Sequence, residues 1–185
     1  MTHTRIIFTT LCFIAMCSNF VMAKDTTTPI TAAEVKAAQD AWGKGLLQIS
    51  ADYDNSGLEK AKETAKAVLE SAYAYQFGPV LFKPTLTSGA QTFRTTYQGA
   101  LAYFVGDDKD FPTDTGFALK SWIKYDYNNA AVYIDGNMAL TMGHVMLTDR
   151  NGKLTTVDKS WGFKKGADGK LRIVLHHSSL PYQPK

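Results

Sequence analysis

The sequence predicts an α+β fold, with N-terminal helices packed on one face of a meandering antiparallel sheet, all in one domain over residues 31–185. Three observations carry that reading. Apolar residues recur at helical spacing between Thr31 and Tyr75. After Trp122, the turn signals Asp135–Gly136, Asn151–Gly152 and Asp168–Gly169 separate alternating runs, the mark of successive hairpins. Helices come first and strands afterwards, which argues α+β rather than a parallel α/β sheet. A chain of 185 residues that is 45% hydrophobic and 20% charged is enough for one core.

Residues 1–23 read as a secretory signal. Arg5 precedes an apolar run from Ile6 to Phe20, and Val21-Met22-Ala23 offers a cut after Ala23. Export to a periplasm or beyond the cell is therefore expected. Both cysteines, Cys12 and Cys17, fall in this segment, so the mature chain has no thiol chemistry or disulfide. Removing Arg5 from 20 basic residues leaves 19 against 17 acidic ones, a net charge of +2. That balance gives no reason to expect nucleic acid as a partner. After signal cleavage no membrane association is expected.

Residues 24–30 read as a polar linker. Thr31-Ala32-Ala33-Glu34 is a capping box. Val35, Ala38, Trp42, Leu46, Ile49 and Tyr53 then share one helical face, and the helix is predicted to end near Asp54–Asn55. Ser56-Gly57-Leu58-Glu59 repeats the capping signal. Ala61, Ala65, Val68, Leu69, Ala72 and Tyr75 follow, with Gly78–Pro79 as the stop. Val80–Thr85 is a short extended piece that Pro84 interrupts. Phe93, Tyr97, Ala100 and Phe104 suit a further helix that Gly106 would cap. Asp107–Gly116 is a polar loop.

The last strand, Val174-Leu175-His176-His177-Ser178-Ser179-Leu180, carries four polar side chains between apolar ones. Alternation puts Val174, His176, Ser178 and Leu180 on one face and Ile173, Leu175, His177 and Ser179 on the other. Both faces are mixed, so one should line a cavity under the helices. The other, with Trp161 and Phe163 beside Leu175, should meet a partner subunit. A homodimer or an assembly of dimers follows. The histidines of the mature chain are His144, His176 and His177. Adjacent histidines on a strand point oppositely, which weighs against a shared zinc ion.

Four segments in order carry a resemblance: Leu81–Leu86 (LFKPTL), Ala100–Gly106 (ALAYFVG), Asp114–Trp122 (DTGFALKSW) and His176–Tyr182 (HHSSLPY). Together they resemble the iota-class carbonic anhydrases. That family is related to the association domain of calcium/calmodulin-dependent kinase type II, within the nuclear transport factor 2-like superfamily. The resemblance implies a cone of curved antiparallel sheet around helices, dimerising through the sheet. It implies reversible hydration of CO2 to bicarbonate in a small metal-free pocket of hydroxyls and a histidine. Carried over by motif, the catalytic residues are Tyr103, His176 and Ser178, and the substrate-binding residues are Thr85, Tyr103 and Ser178. Ala102 stands where serine is frequent, and Leu119, Lys120 and Ser121 replace the family's acidic residue and proline before Trp122.

The implied chemistry is coherent. Zinc enzymes lower the pKa of bound water from about 15.7 to about 7. A metal-free site must instead activate water through a base and hydrogen bonds, and stabilise charge on the carbonate oxygens. No cofactor is expected, with zinc or manganese as the alternative mechanism. The competing functions are a non-catalytic ligand-binding or oligomerisation module, and an isomerase or hydrolase of the same superfamily. The latter would need a carboxylate base inside the cone, and the nearest candidates, Asp126 and Asp158, read as exposed.

Overall fold

The computed structural model describes residues 28–184. The expected leader over 1–23, its expected cut after Ala23 and most of the linker expected over 24–30 lie outside the described residues. The end of that linker is docked: Ile30 is buried, and its amide donates to the Gly136 carbonyl at 2.8 Å.

Helix α1 spans Ala32–Ser56 and α2 spans Leu58–Ala72. Thr31 and Glu34 form the reciprocal capping box at the start of α1. Its buried stripe includes Val35, Trp42, Leu46 and Ile49, four of the positions the periodicity picked out. Between the helices the sequence reading fails in detail. Ser56 is the last residue of α1, and Gly57, at φ 83°, both ends α1 and begins α2 without a side-chain cap. A left-handed backbone there suits glycine, so the chain turns where a hydroxyl cap was expected.

Helix α2 also stops earlier than Gly78–Pro79. Tyr73 is extended and pairs with Ile173, and the Ala74 amide donates to the Ile173 carbonyl at 3.0 Å. Tertiary pairing overrides helix propensity here. A short 3-10 turn, Tyr75–Phe77, completes the connection. Helix α3 is Tyr97–Val105, with Thr96 as N-cap and Gly106 (φ 65°) as C-cap. Phe93 lies outside it and is exposed.

Among the described residues the sheet has five strands in the order β1-β5-β4-β3-β2. They are β1 Leu81–Lys83, β2 Trp122–Asp135, β3 Met138–Asp149, β4 Leu154–Lys165 and β5 Leu171–Ser179. The three hairpins turn at the glycines expected, Gly136, Gly152 and Gly169, all with positive φ. The sheet is mixed rather than wholly antiparallel, because β1 runs parallel to β5. Helix α3 and the whole β2–β4 meander separate these two strands in sequence, a non-local pairing that hairpin signals cannot reveal.

Strict alternation on β5 fails at one point. Gly162 pairs with Leu175, but Phe163 pairs with Ile173, so one extra residue bulges from β5. Ile173 therefore joins His176 and Ser178 on the buried face. Trp161 and Phe163 are core residues, 1% and 0% exposed, and not part of an outer interface. They pack toward α1, where Trp42 meets Trp161 edge-on at 5.0 Å. Each such buried aromatic contributes about 2–3 kcal/mol.

Candidate functional site

The buried face of the sheet carries a polar cluster centred on His176. Phe82 on β1, His176 on β5 and Trp161 on β4 are direct neighbours across the ladders. The register stacks their rings: His176 lies 4.4 Å from Phe82 and 4.6 Å from Trp161, nearly parallel to both. Trp42 of α1 closes the layer edge-on at 5.5 Å. The imidazole is thus sandwiched between aromatic faces and is 2% exposed.

Both ring nitrogens of His176 are occupied inside the protein. Nδ1 is 2.8 Å from the Tyr73 hydroxyl, and Nε2 is 2.6 Å from Lys159 Nζ. The early end of α2 is what brings Tyr73 there. Trp42 Nε1 donates to the same tyrosine oxygen at 2.8 Å. Lys159 sits under Trp42 and Trp161, its amine 4.9 and 5.1 Å from their ring centres. Among the described residues no carboxylate pairs with it.

Burial dominates the electrostatics of this pair. It drives the Lys159 amine down to about 7. It also pushes His176 well below the usual histidine range, with Lys159 and then His177 adding to the effect. The two indole faces favour an ammonium by about 2 kcal/mol, but an unpaired charge taken out of water costs several kcal/mol. The balance leaves the histidine uncharged and brings the lysine's loss of charge down to near neutral pH.

One layer toward the rim lies a hydroxyl cluster. Thr85, just past β1, and Ser178 of β5 share a hydrogen bond of 2.6 Å. The Lys83 amine holds that corner by donating to the Ser178 carbonyl at 2.9 Å. Tyr103 of α3 presents its hydroxyl near Thr85 and Leu86, yet that buried hydroxyl completes no hydrogen bond among the described residues. Burial raises its pKa above the usual phenol value, despite a lowering influence from Thr85. The Tyr103 ring stacks on Phe117 at 5.4 Å and meets Phe82 edge-on at 5.7 Å. Phe117 is set by the segment Asp114–Trp122, whose Trp122 indole donates to the Phe117 carbonyl at 2.7 Å. A cleft of about 430 Å³ opens onto this wall, lined by Thr85, Leu86, Phe117, Trp122 and Leu180 among others.

Of the residues singled out in the sequence, Thr85, Tyr103 and Ser178 are brought together. His176 shares their face but stands a layer deeper, with Phe82 touching both its ring and that of Tyr103. His177 points to the opposite, exposed side of the sheet. His144 is also outside, 3.1 Å from Asp158. The three histidines therefore do not converge, and among the described residues no group of three His, Cys, Asp or Glu side chains could hold a metal.

Sequence reasoning missed Lys159, Tyr73 and Trp42. The first left a signal: Val157, Lys159, Trp161 and Phe163 alternate onto one face, so a lysine stood in a buried row. Tyr73 left none, because only its pairing with Ile173 turns it inward.

Known proteins share this arrangement of chain. The family of metal-independent carbonic anhydrases matches residues 33–180. A metal-independent carbonic anhydrase from Nostoc sp. (strain PCC 7120 / SAG 25.82 / UTEX 2576) is 62% identical over 154 residues, 83% of this chain and 75% of its own. The crystal structure of a cyanobacterial iota-carbonic anhydrase complexed with bicarbonate superposes with a TM-score of 0.83. It has 61% identity, over 84% of this chain and 95% of that one. A calcium/calmodulin-dependent protein kinase II association domain from Xanthomonas campestris shares the fold alone, with a TM-score of 0.55 and 24% identity over 86% and 97% of the chains. A match over most of the chain, at an identity this high and with the same fold, fixes the kinship: the chain belongs to the metal-independent carbonic anhydrase family.

Proposed function

We propose that this protein catalyses the reversible hydration of CO2 to bicarbonate at the Thr85–Tyr103–Ser178 hydroxyl cluster, without a metal. The observation that carries the reading is the buried, unpaired Tyr103 hydroxyl beside the Thr85–Ser178 pair. A buried donor without a partner costs about 1–3 kcal/mol, and a small oxyanion inserted there would recover that loss. Bicarbonate has three oxygens, and the three hydroxyls offer one donor to each.

The reaction joins a water oxygen to the CO2 carbon, places negative charge on the former CO2 oxygens, and releases one proton. Donors already aimed at those oxygens stabilise the charge as it forms. The aromatic wall of Phe82, Phe117 and Tyr103 suits the apolar substrate. His176 acts from behind this cluster, since its nitrogens are engaged by Tyr73 and Lys159. An isomerase would need a free carboxylate base inside the cone. Asp114, a buried carboxylate whose charge reaches Tyr103, is tied to Arg94 by two contacts of 3.0 Å. A proton-release assay on purified protein, run with and without chelator, tests the reading. Turnover that survives chelation supports it, and its absence favours a binding module.

The assembly we propose is a homodimer through the outer sheet face. Tyr133, Leu140 and Met142 are exposed there, with Leu140 beside Gly162 and Leu175. Light scattering should give twice the monomer mass, and Met142→Lys should reduce it to one. A monomeric wild type would contradict this. The apolar run after Arg5 supports export to the periplasm as the place of action.

A further inference from the structure

The hydrogen-bond chain through His176 fixes the protons on it. The Trp42 indole nitrogen can only donate, so the Tyr73 oxygen accepts at 2.8 Å. Tyr73 is 0% exposed, and the other partner of its hydroxyl among the described residues is His176 Nδ1. The tyrosine proton therefore points at Nδ1, which must be bare. A neutral imidazole with a bare Nδ1 carries its hydrogen on Nε2. Nε2 faces Lys159 Nζ at 2.6 Å, so the lysine has to accept, and only an uncharged amine has a lone pair to accept with.

The opposite assignment is costly in two ways. An ammonium at Lys159 would donate to a bare Nε2 and drive the ring hydrogen to Nδ1. Nδ1–H would then face the tyrosine oxygen, leaving the Tyr73 proton stranded in a closed interior. It would also leave a buried cation with no counter-charge. The groups packed against Lys159 are Trp42 from α1, Trp161 from its own strand and His176 from β5. Gly143 of β3 and Ser178 of β5 stand opposite it in the ladders. The one titratable group in that set is His176, itself held neutral by burial.

We propose that Lys159 is a positioning residue of the site: as an uncharged amine it accepts the Nε2–H of His176 and holds the ring in a single tautomer, locked to Tyr73. Lys159 lies directly across the β4–β5 ladder from Ser178. One residue thus controls the histidine behind the hydroxyl cluster and borders the cluster itself. Protonating it moves the imidazole hydrogen from Nε2 to Nδ1, breaks the bond that Tyr73 donates, and places a positive charge beside Ser178. The depressed lysine pKa, about 7, puts this change near neutral pH. The role at the site rests on the proposed function, whereas the tautomer does not.

The test is a long-range proton–nitrogen spectrum of the full chain labelled with 15N-histidine, recorded through a pH series. At about pH 9, His176 should be protonated on Nε2 and bare on Nδ1. As the pH falls through the lysine titration, the hydrogen should move to Nδ1 without the ring becoming doubly protonated. Lys159→Gln, whose amide oxygen can accept from Nε2, should keep the Nε2–H form throughout. Lys159→Arg, a permanent donor, should give the Nδ1–H form. A wild-type ring that is Nδ1–H at about pH 9 would overturn the proposal, as would an arginine variant with the wild-type spectrum. Should the arginine variant not fold, the wild-type series alone decides. In CO2 hydration the glutamine variant should be at least about 10-fold faster than the arginine variant and lack the wild-type pH limb, the scale of misplacing one proton-handling group. If no form hydrates CO2, the proposed function fails and the spectrum still decides the tautomer.

Discussion

Thr85 and Ser178 face each other with their hydroxyl oxygens 2.6 Å apart, across the parallel seam where β1 joins β5. The two residues are 93 positions apart in the chain, so folding alone makes the pair. One of the two donates to the other when no anion is present. The Tyr103 hydroxyl beside them has no such partner. Within the cluster the pair therefore engages one donor, and the Tyr103 donor completes no hydrogen bond among the described residues.

Tyr103→Phe separates stability from activity. It removes a buried hydroxyl that completes no hydrogen bond among the described residues, while keeping the ring stacked on Phe117. The variant should be as stable as wild type or about 1 kcal/mol more stable. Its CO2 hydration rate should fall about 100- to 1000-fold, the scale of losing one oxyanion donor. Denaturant titration and stopped-flow hydration check the two halves. A large loss of stability would mean that the hydroxyl has a structural partner after all.

Tyr73→Phe should behave in the opposite way. It strands Trp42 Nε1–H, which donates to the tyrosine oxygen, and His176 Nδ1, which accepts the tyrosine proton, in the interior. Each lost partner costs about 1–3 kcal/mol, so a loss of about 2–4 kcal/mol is expected in urea unfolding. A change below about 0.5 kcal/mol would show that the hydrogen-bond chain carries little energy.

Stability should rise between about pH 7 and pH 10 because of Lys159. Below its folded pKa of about 7 the amine is protonated in both states, and the cost of burying the charge counts fully against the fold. As pH rises toward the unfolded value of 10.5, the unfolded chain holds the proton that the folded chain has released. The folded state therefore gains, by up to about 1.4 kcal/mol per pH unit. Tyr73, Tyr103 and Tyr125 are raised by burial and oppose the gain only above their unfolded value of 10.0. Unfolding at about pH 7.5 and 9.5 should show wild type gaining about 2 kcal/mol more than Lys159→Met. Equal gains in the two proteins would place the folded pKa of Lys159 elsewhere.

The fold was legible where its cause is local. The capping box at Thr31, the stripe from Val35 to Ile49 and three glycine turns are written in short windows, and the structure has them. What was not legible is long-range. The parallel β1–β5 pair, the early end of α2 at Ala72 and the β5 bulge at Val174 are all set by contacts with distant strands. The same division holds for the site. His176 and Ser178 could be placed on one face by alternation. Thr85 and Tyr103 came from motif resemblance, since a strand-end hydroxyl and a helical aromatic carry no signal of their own. Lys159 was visible in principle, in a row with Val157, Trp161 and Phe163. Its proximity to His176 needed the β4–β5 register.

The central claim is that the hydroxyl cluster hydrates CO2 without a metal. The most direct test is the stopped-flow hydration rate of metal-stripped wild type in chelator, measured beside Ser178→Ala. The account predicts an undiminished wild-type rate and a loss of about 100- to 1000-fold in the variant. A rate abolished by chelator and restored by zinc or manganese, or a Ser178→Ala enzyme as fast as wild type, would contradict it.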